Sequence, residues 1–247
     1  MRSVLWKWGG RRPYASALEE MAVLVQKRKA GAVPDMLWLV EHPPVYTYTK
    51  KSVNNFRVPL PELKSKYGAD TVYTHRGGDI TFHGPGQLVA YPILDLRHHK
   101  QDLRWYLHQL EEVMIETAWH WKIPAQREEG RTGIWTEDRK LGAIGIQVSQ
   151  WVTSHGLALN VTTDLSYFDL IVPCGIVDKQ VTSLAAELAR KRRMMRDVSV
   201  GNETKRQHVY GEGGEGAVDV EMARDVLVDR FGKVFQREMR KAEEEET

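Results

Sequence analysis

The 247-residue chain contains a single cysteine, Cys174. Pro173 and Gly175 flank it, and this pair predicts a bend rather than the interior of a helix. A thiol between small residues on a bend can be open to a substrate, and its thiolate is a strong nucleophile. A lone cysteine can also be a small buried hydrophobic residue, but it cannot form an internal disulfide, which suits a reducing compartment.

The segment Arg76–Gln87, RGGDITFHGPGQ, is the densest glycine cluster of the chain and lies between two predicted strands. Glycines cost conformational entropy on folding, so such a loop is expected where backbone must approach a ligand closely. Arg76, Asp79 and His83 add polar groups that a plain turn would not need. The phosphate-loop patterns GxxxxGK[ST] and GxGxxG are absent here. A tight turn with structural glycines is the alternative.

Two further segments combine glycine with apolar strand residues. In KLGAIGI, Lys140 begins a glycine-interrupted strand, and in HGLALNV, His155 precedes the glycine of another. Taken alone, Lys140 could be an exposed hairpin lysine and His155 a structural histidine. Both segments could let a ligand lie close to the backbone.

The chain resembles the lipoyl(octanoyl) transferase family, on five motifs in matching order and spacing: RGGDITFHGPGQ, RKLGAIGI, SHGLALNV, IVPCGI and VTSL. The resemblance covers roughly residues 3 to 190. It implies a catalytic Cys/Lys pair, which matches Cys174 and Lys140. It also implies three substrate-binding segments, whose residues are Arg76, Gly77, Gly78, Asp79, Ile80, Thr81, Phe82 and His83, then Ala143, Ile144 and Gly145, then Gly156, Leu157 and Ala158.

The chemistry that the resemblance implies is octanoyl transfer from octanoyl-acyl carrier protein to a lysine of a lipoyl domain, through a cysteine thioester. A thiol with a pKa of about 8.5 is mostly protonated near pH 7. A nearby ammonium lowers that pKa, which is the role expected for Lys140 beside Cys174. No cofactor and no metal are expected. An apolar tunnel should select the acyl length, but the sequence does not identify its end.

The pattern of helices and strands that must position these residues predicts an α+β fold. The resemblance implies a mixed, mostly antiparallel sheet flanked by helices, like the catalytic domains of biotin and lipoate protein ligases. The patterns predict the following elements: helices over 14–29, 102–121, 184–189 and 218–241, strands over 36–42, 45–50, 71–75, 88–96 and 154–161, a hairpin over 133–148 and a loop over 52–70.

One catalytic domain is expected over residues 3–241, with a mobile insertion at 190–217 and an acidic tail at 242–247. The insertion begins with the basic run RKRRMMR and continues into glycine-rich sequence. The formal net charge is only +2, so no global attraction to nucleic acid or membrane is predicted. No apolar run reaches the length of a membrane span.

The expected partners are octanoyl-acyl carrier protein and the lipoyl domains of 2-oxoacid dehydrogenase complexes and of glycine cleavage H protein. A basic rim would favour such acidic partners, with Lys50–Lys51 and Arg97–Lys100 as candidates. The expected state is a monomer, located in a mitochondrion or plastid if eukaryotic and in the cytoplasm if bacterial.

Three other functions stay open at this point. An ATP-dependent lipoate or octanoate ligase would share the fold, although it needs no cysteine nucleophile and the GRGRxG type of nucleotide loop is absent. A lipoyl-domain amidotransferase, which moves octanoyl or lipoyl groups between lipoyl domains, has a sequence that differs little from that of an octanoyltransferase. A nucleic-acid-binding module would depend on the basic run RKRRMMR, which lacks interleaved aromatic residues.

Overall fold

The structure is a computed structural model that describes residues 3–172, 180–201 and 217–243. Its strands are β1 (Ser3–Arg11), β2 (Met36–Glu41), β3 (Val45–Tyr48), β4 (Asp70–Tyr73), β5 (Thr81–His83), β6 (Gln87–Ile93), β7 (Gln126–Glu128), β8 (Arg131–Thr136), β9 (Arg139–Ser149), β10 (Val152–Asn160), β11 (Gln180–Val181) and β12 (Glu238–Lys241). Its helices are α1 (Tyr14–Lys29), α2 (Leu60–Tyr67), α3 (Leu103–His120), α4 (Leu184–Gly201) and α5 (Val220–Phe235).

The main sheet has the strand order β12-β1-β2-β6-β10-β9-β8-β7, and β11 pairs with β9 beside this path. β1 runs parallel to both of its neighbours, and β11 runs parallel to β9. The pairs from β2 through β7 are antiparallel. The expected mixed, mostly antiparallel sheet is therefore confirmed.

The two faces of the sheet are covered by different helices. α3 and α5 pack on one face, over a core that includes Leu110, Leu159 and Phe231. α1 covers part of the other face, where Met21 and Trp38 belong to a smaller apolar cluster. Side chains alternate between the faces along a strand, so neighbouring residues of β10 belong to different environments.

A second, three-stranded sheet of order β4-β3-β5 lies beside the glycine-rich segment. Its own apolar cluster includes Tyr46, Leu63 and Phe82. β5 is part of that segment, so this small sheet fixes one end of the glycine loop.

Three elements differ from the sequence-based expectation. β1 and β12 form a parallel edge pair, although the pattern marked no strand at either place. α2 lies inside the segment 52–70, which was wrongly expected to be a loop, because only Leu63 is buried in so short a helix. The last helix ends at Phe235 rather than at 241, because Gln236 adopts a left-handed conformation with φ 54°.

α4 extends to Gly201, so the basic run RKRRMMR lies on a helix. Residues 202–216, the remainder of the expected insertion except its last residue, lie outside the described residues. No helix of the described part of the chain is long and apolar enough to cross a membrane.

Candidate active site

Small side chains on two neighbouring strands form a trough on the sheet. Ala143 of β9 pairs with Ala158 of β10, and Gly145 pairs with Gly156 two residues further on. Directly opposed residues point to the same face of an antiparallel sheet. Ala143 and Ala158 present only methyl groups to this face, whereas a Cβ on Gly156 would collide with the Ala90 carbonyl oxygen. Leu159 points to the buried core on the other face.

The glycine loop crosses this trough. The Gly77 amide donates a hydrogen bond of 2.8 Å to the Ile146 carbonyl oxygen. A Cβ atom added to Gly145 would lie 2.8 Å from the Gly77 carbonyl oxygen, closer than side-chain carbons pack. Gly78 has φ +90°, a conformation that glycine adopts without strain. The glycines predicted from sequence thus allow a close contact between loop and strand.

Trough and loop together enclose a cavity of about 590 Å³. It is lined by members of all three predicted binding segments and by Lys140, and those members are Arg76, Gly77, Gly78, Asp79, Ile80, Thr81, His83, Ala143, Ile144, Gly145, Gly156, Leu157 and Ala158. Phe82 belongs to the same predicted set but does not line the cavity. Its ring stacks on Tyr167, with ring centroids 4.5 Å apart, inside the cluster of the small sheet.

Arg76 and Asp79 hold the loop in place. The buried Arg76 guanidinium donates from Nη2 to the Thr47 carbonyl oxygen at 3.2 Å and to its Oγ1 at 2.8 Å. Asp79 accepts the Ile80 amide at 2.7 Å and the Asn55 side-chain amide at 3.0 and 3.2 Å. These contacts predict that both residues order the backbone that lies over the trough.

Asn55 also links the loop to the segment that leads to Cys174. Its carbonyl oxygen accepts a hydrogen bond of 2.8 Å from the Val172 amide. Cys174 itself, with Pro173 and Gly175, lies outside the described residues. On the other side of this gap, Val181 pairs with Lys140 and lines the cavity. The described chain therefore reaches the cavity directly at Val181 and, before the undescribed residues, through the hydrogen bonds from Val172 to Asn55 and from Asn55 to Asp79.

Lys140 lies near the start of β9, among the cavity-lining residues. Its Nζ is 5.3 Å from the centre of the Trp135 ring, which is within range of a cation–π interaction. Its Cε passes over Gly133, where an added Cβ would lie 3.1 Å away. Because Gly133 has no side chain, the Lys140 side chain can pass beside it, and the Trp135 ring then stabilises the ammonium group at the cavity.

A cluster of histidine and tyrosine side chains closes the cavity at the far end of the trough, and sequence reasoning identified only part of it. Tyr14 Oη lies 3.5 Å from His155 Nδ1, and the Tyr14 ring stacks on that of His83 with centroids 5.8 Å apart. His42 contacts the Tyr14 ring and shares a 2.8 Å hydrogen bond between its Nε2 and Tyr91 Oη. No local pattern joins these residues, since they come from the start of α1, from the interiors of β6 and β10, from the end of β5 and from the residue after β2.

This cluster is electrically neutral near pH 7. Burial lowers the pKa of His42 to about 4, that of His155 to about 4 and that of His83 to about 3. Burial also raises the pKa of Tyr14 to about 12, against the lowering effect of the nearby Arg76. The Arg76 guanidinium borders this cluster and is bonded to Thr47, so the rings themselves present an uncharged surface that suits a ligand such as an alkyl chain.

The two candidate basic rims differ. In the first, the Arg97 guanidinium bonds to Asp95, and the buried His99 Nε2 lies 2.7 Å from Asp35. That segment belongs to an ion-pair network within the fold. In contrast, Lys50 and Lys51 are exposed on the turn that precedes Asn55.

Comparison with known proteins decides the family. The model of the lipoyl protein ligase A/B catalytic domain matches residues 13–200. An octanoyltransferase of Solibacter usitatus is 48% identical over 186 residues, which cover 75% of this chain and 84% of the relative. The mitochondrial octanoyltransferase LIP2 of Arabidopsis thaliana is 48% identical over 185 residues, or 74% and 78% of the two chains. The chain belongs to the lipoyl protein ligase A/B family, among its octanoyltransferases.

Solved structures of lipoate protein ligases share the fold. Lipoate-protein ligase A bound with ATP has a TM-score of 0.66 at 13% identity, covering 100% of this chain and 91% of its own. The bipartite lipoate protein ligase of Thermoplasma acidophilum has a TM-score of 0.60 at 12% identity, covering 99% and 88%. At these identities the likeness shows the architecture alone, and it confirms the lipoate-ligase-like fold.

Proposed function

We propose that this family member transfers an octanoyl group from octanoyl-acyl carrier protein to a lysine of lipoyl domains, through a thioester on Cys174. Octanoyl transfer in protein lipoylation is the activity that the names of the full-length relatives support. The observation that carries the proposal is the single cavity that gathers Lys140 and the three glycine-rich segments beside a neutral, aromatic end.

In the first step, the Cys174 thiolate attacks the carbonyl carbon of the octanoyl thioester. A carbon–sulfur bond forms to Cys174, and the bond to the carrier sulfur breaks. The Lys140 ammonium gives its proton to the departing carrier thiolate, which leaves as a thiol. Before this step, the positive charge of Lys140 favours the ionised form of Cys174.

In the second step, the lysine amine of the lipoyl domain attacks the same carbonyl carbon. The new carbon–nitrogen bond forms as the bond to Cys174 breaks, which regenerates the thiolate. Lys140, now neutral, accepts the proton that the amine loses. Each turnover therefore returns both residues to their starting protonation states and needs no ATP.

Chain connectivity supports this assignment of Cys174. Only Pro173 lies between it and Val172, whose amide donates to the Asn55 carbonyl oxygen. A chain advances at most about 3.8 Å per residue between Cα atoms, so Cys174 belongs within about 8 Å of Val172. Because Asn55 also bonds to the cavity-lining Asp79, this reach supports the proposed role of the cysteine at the cavity.

The proposal also includes acyl carrier protein as the donor, a monomeric enzyme and a cellular compartment. The exposed Lys50 and Lys51 would meet acidic surfaces of carrier protein or lipoyl domain. The lipoyl domains of 2-oxoacid dehydrogenase complexes and of glycine cleavage H protein are the proposed acceptors. The proposed location is a mitochondrion or plastid if the chain is eukaryotic, in keeping with the mitochondrial LIP2 of Arabidopsis thaliana, and the cytoplasm if it is bacterial.

The test is transfer between purified proteins. Octanoyl-acyl carrier protein and an apo lipoyl domain are mixed with the enzyme, and intact mass is measured for the acceptor. The expected result is one octanoyl group added to the lipoyl domain without ATP, lost in Cys174→Ser and reduced at least 100-fold in Lys140→Met. Transfer that requires ATP and accepts free octanoate would instead identify a ligase.

A further inference from the structure

Aromatic side chains block the far end of the trough. Four aromatic rings meet there, from Tyr14, His83, Tyr91 and His155. Tyr14 is 4% exposed, and its ring contacts two histidines that hold it on different sides, His42 at 5.2 Å and His83 at 5.8 Å between centroids. We infer that Tyr14, supported by His83 and His155, is the residue that limits the acyl chain to about eight carbons. This inference deepens the proposed function and rests on it.

The entrance to the trough is fixed by Lys140 and Asn160. The Thr182 amide donates to the Lys140 carbonyl oxygen at 2.9 Å, and the Asn160 side-chain amide donates to the Thr182 carbonyl oxygen at 2.9 Å. Thr182 therefore holds Lys140 and Asn160 at the same level of the sheet. The thioester carbonyl belongs at this level, because Lys140 is its proposed proton donor.

The length of the trough matches an eight-carbon chain. Four residue steps separate Asn160 from Gly156 on β10, about 13 Å at roughly 3.3 Å per residue. An extended octanoyl group spans about 9 Å from carbonyl carbon to methyl carbon, since seven bonds of about 1.5 Å alternate in direction. A methyl group in contact needs about 4 Å more. Two further methylenes would bring the chain into the rings of Tyr14 and His155.

The barrier is difficult to displace because its members support one another. His155 has φ +57°, a left-handed conformation that directs its side chain toward Tyr14. His83 is held by a 2.7 Å hydrogen bond between its Nδ1 and Gln87 Oε1, and Gln87 in turn donates to Asn160. A longer chain would have to disturb this linked, buried network, whereas a shorter chain would leave a void.

Replacing Tyr14 in both directions tests the inference. Tyr14→Val removes about the volume of two methylene groups, and Tyr14→Trp adds volume while filling the site. The measurement is kcat/KM for hexanoyl, octanoyl and decanoyl carrier protein. The ratio of decanoyl to octanoyl should rise at least tenfold in Tyr14→Val, which corresponds to about 1.4 kcal/mol. The ratio of hexanoyl to octanoyl should rise at least fivefold in Tyr14→Trp.

Two controls separate a steric limit from other effects. Tyr14→Phe keeps the ring, so both ratios should stay within twofold of wild type. Tyr106→Val removes an equally buried tyrosine on the opposite face of the sheet, so it should lower stability but leave the ratios unchanged. If Tyr14→Val does not fold, the ratio of hexanoyl to octanoyl kcat/KM in Tyr14→Trp tests the inference by itself.

Unchanged ratios in folded, active Tyr14→Val and Tyr14→Trp enzymes would overturn the inference. Failure of the proposed function would look different, because the wild type would then transfer no acyl chain at all. In that case, calorimetric binding of octanoate and decanoate to wild type and Tyr14→Val supplies the test. An unchanged ratio of dissociation constants would then exclude Tyr14 as the barrier.

Discussion

The two faces of the central sheet use the same strands for opposite purposes. On the face of α3 and α5, β10 contributes Leu159 to a continuous apolar core that contains both aliphatic and aromatic side chains. On the other face, the same strand contributes Gly156 and Ala158 to an open cavity. The difference shows that alternating large and small residues on one strand can build a rigid support and an empty binding trough together. Substitutions on the face of α3 and α5 should therefore affect the free energy of unfolding, and substitutions on the cavity face should affect acyl transfer.

The largest expected effect comes from filling the trough. Ala143→Leu adds bulk where the acyl chain is proposed to lie, so kcat/KM for octanoyl carrier protein should fall at least 100-fold, with a small change in the free energy of unfolding. The matched change on the other face is Leu159→Ala, which should lower the free energy of unfolding by about 2–5 kcal/mol and retain transfer when folded. Denaturant unfolding and initial rates measure both. A stable, fully active Ala143→Leu enzyme would contradict the proposed location.

The neutral histidines of the cavity face should make the protein sensitive to acid. The pKa values of His42, His83 and His155 are lowered in the fold, whereas an unfolded histidine titrates near 6.5. As pH falls from about 6.5 to 4, the unfolded chain binds more protons, so the free energy of unfolding decreases. For His42 alone the loss reaches about 3 kcal/mol.

Denaturant unfolding across that pH range checks this prediction. His42→Gln should show a shallower decrease in the free energy of unfolding than wild type. His120→Gln, a change at an exposed histidine at the end of α3, is the control and should keep the wild-type slope. Equal slopes for wild type and His42→Gln would mean that burial of His42 does not oppose its protonation.

A smaller effect is expected from the contact between Asn55 and Asp79. Asn55→Asp would place two carboxylates together and should lower kcat/KM about tenfold by displacing the glycine loop. Adding Asp79→Asn restores an amide–carboxylate pair of reversed orientation, so the double variant should recover to within threefold of wild type. The alkylation rate of Cys174, the only cysteine of the chain, should follow the same order. A double variant no better than the single would assign the loss to another cause.

The smallest effect is expected at the surface. Lys50→Glu with Lys51→Glu should raise the KM for carrier protein about threefold at low salt and leave kcat unchanged, because the charges only guide the encounter. The effect should disappear at high ionic strength. Lys64→Glu with Lys66→Glu, on the exposed α2, is the matched control. An equal rise in KM for the control pair would remove Lys50 and Lys51 from the docking surface.

The sequence predicted the cavity-facing residues better than the end of the cavity. Lys140 and the glycine-rich segments are local motifs, and the structure gathers them in one cavity. Tyr14 and His42 were not predicted because their role depends on strands and a helix that are distant in the chain. Phe82 was included because its neighbours matched, although its ring packs against Tyr167.

Among the elements, the long amphipathic helices and the central strands could be predicted from their periodicity. Strand β1 and the edge strand β12 could not, because a parallel pair between segments so distant in the chain leaves no local pattern. The basic run was expected to be part of a mobile insertion, yet α4 continues through it to Gly201. Glu187 near the start of α4 pairs with Arg139 of β9, a contact that no local pattern reveals.

The most direct test of the central claim is to trap the acyl-enzyme. Wild-type protein is mixed with octanoyl-acyl carrier protein in the absence of a lipoyl domain, and the products are analysed by intact mass and peptide mapping. The account predicts one octanoyl group, on the peptide that contains Cys174, which an apo lipoyl domain then removes. An octanoyl group found on another residue, or transfer that proceeds at the wild-type rate in Cys174→Ser, would contradict it.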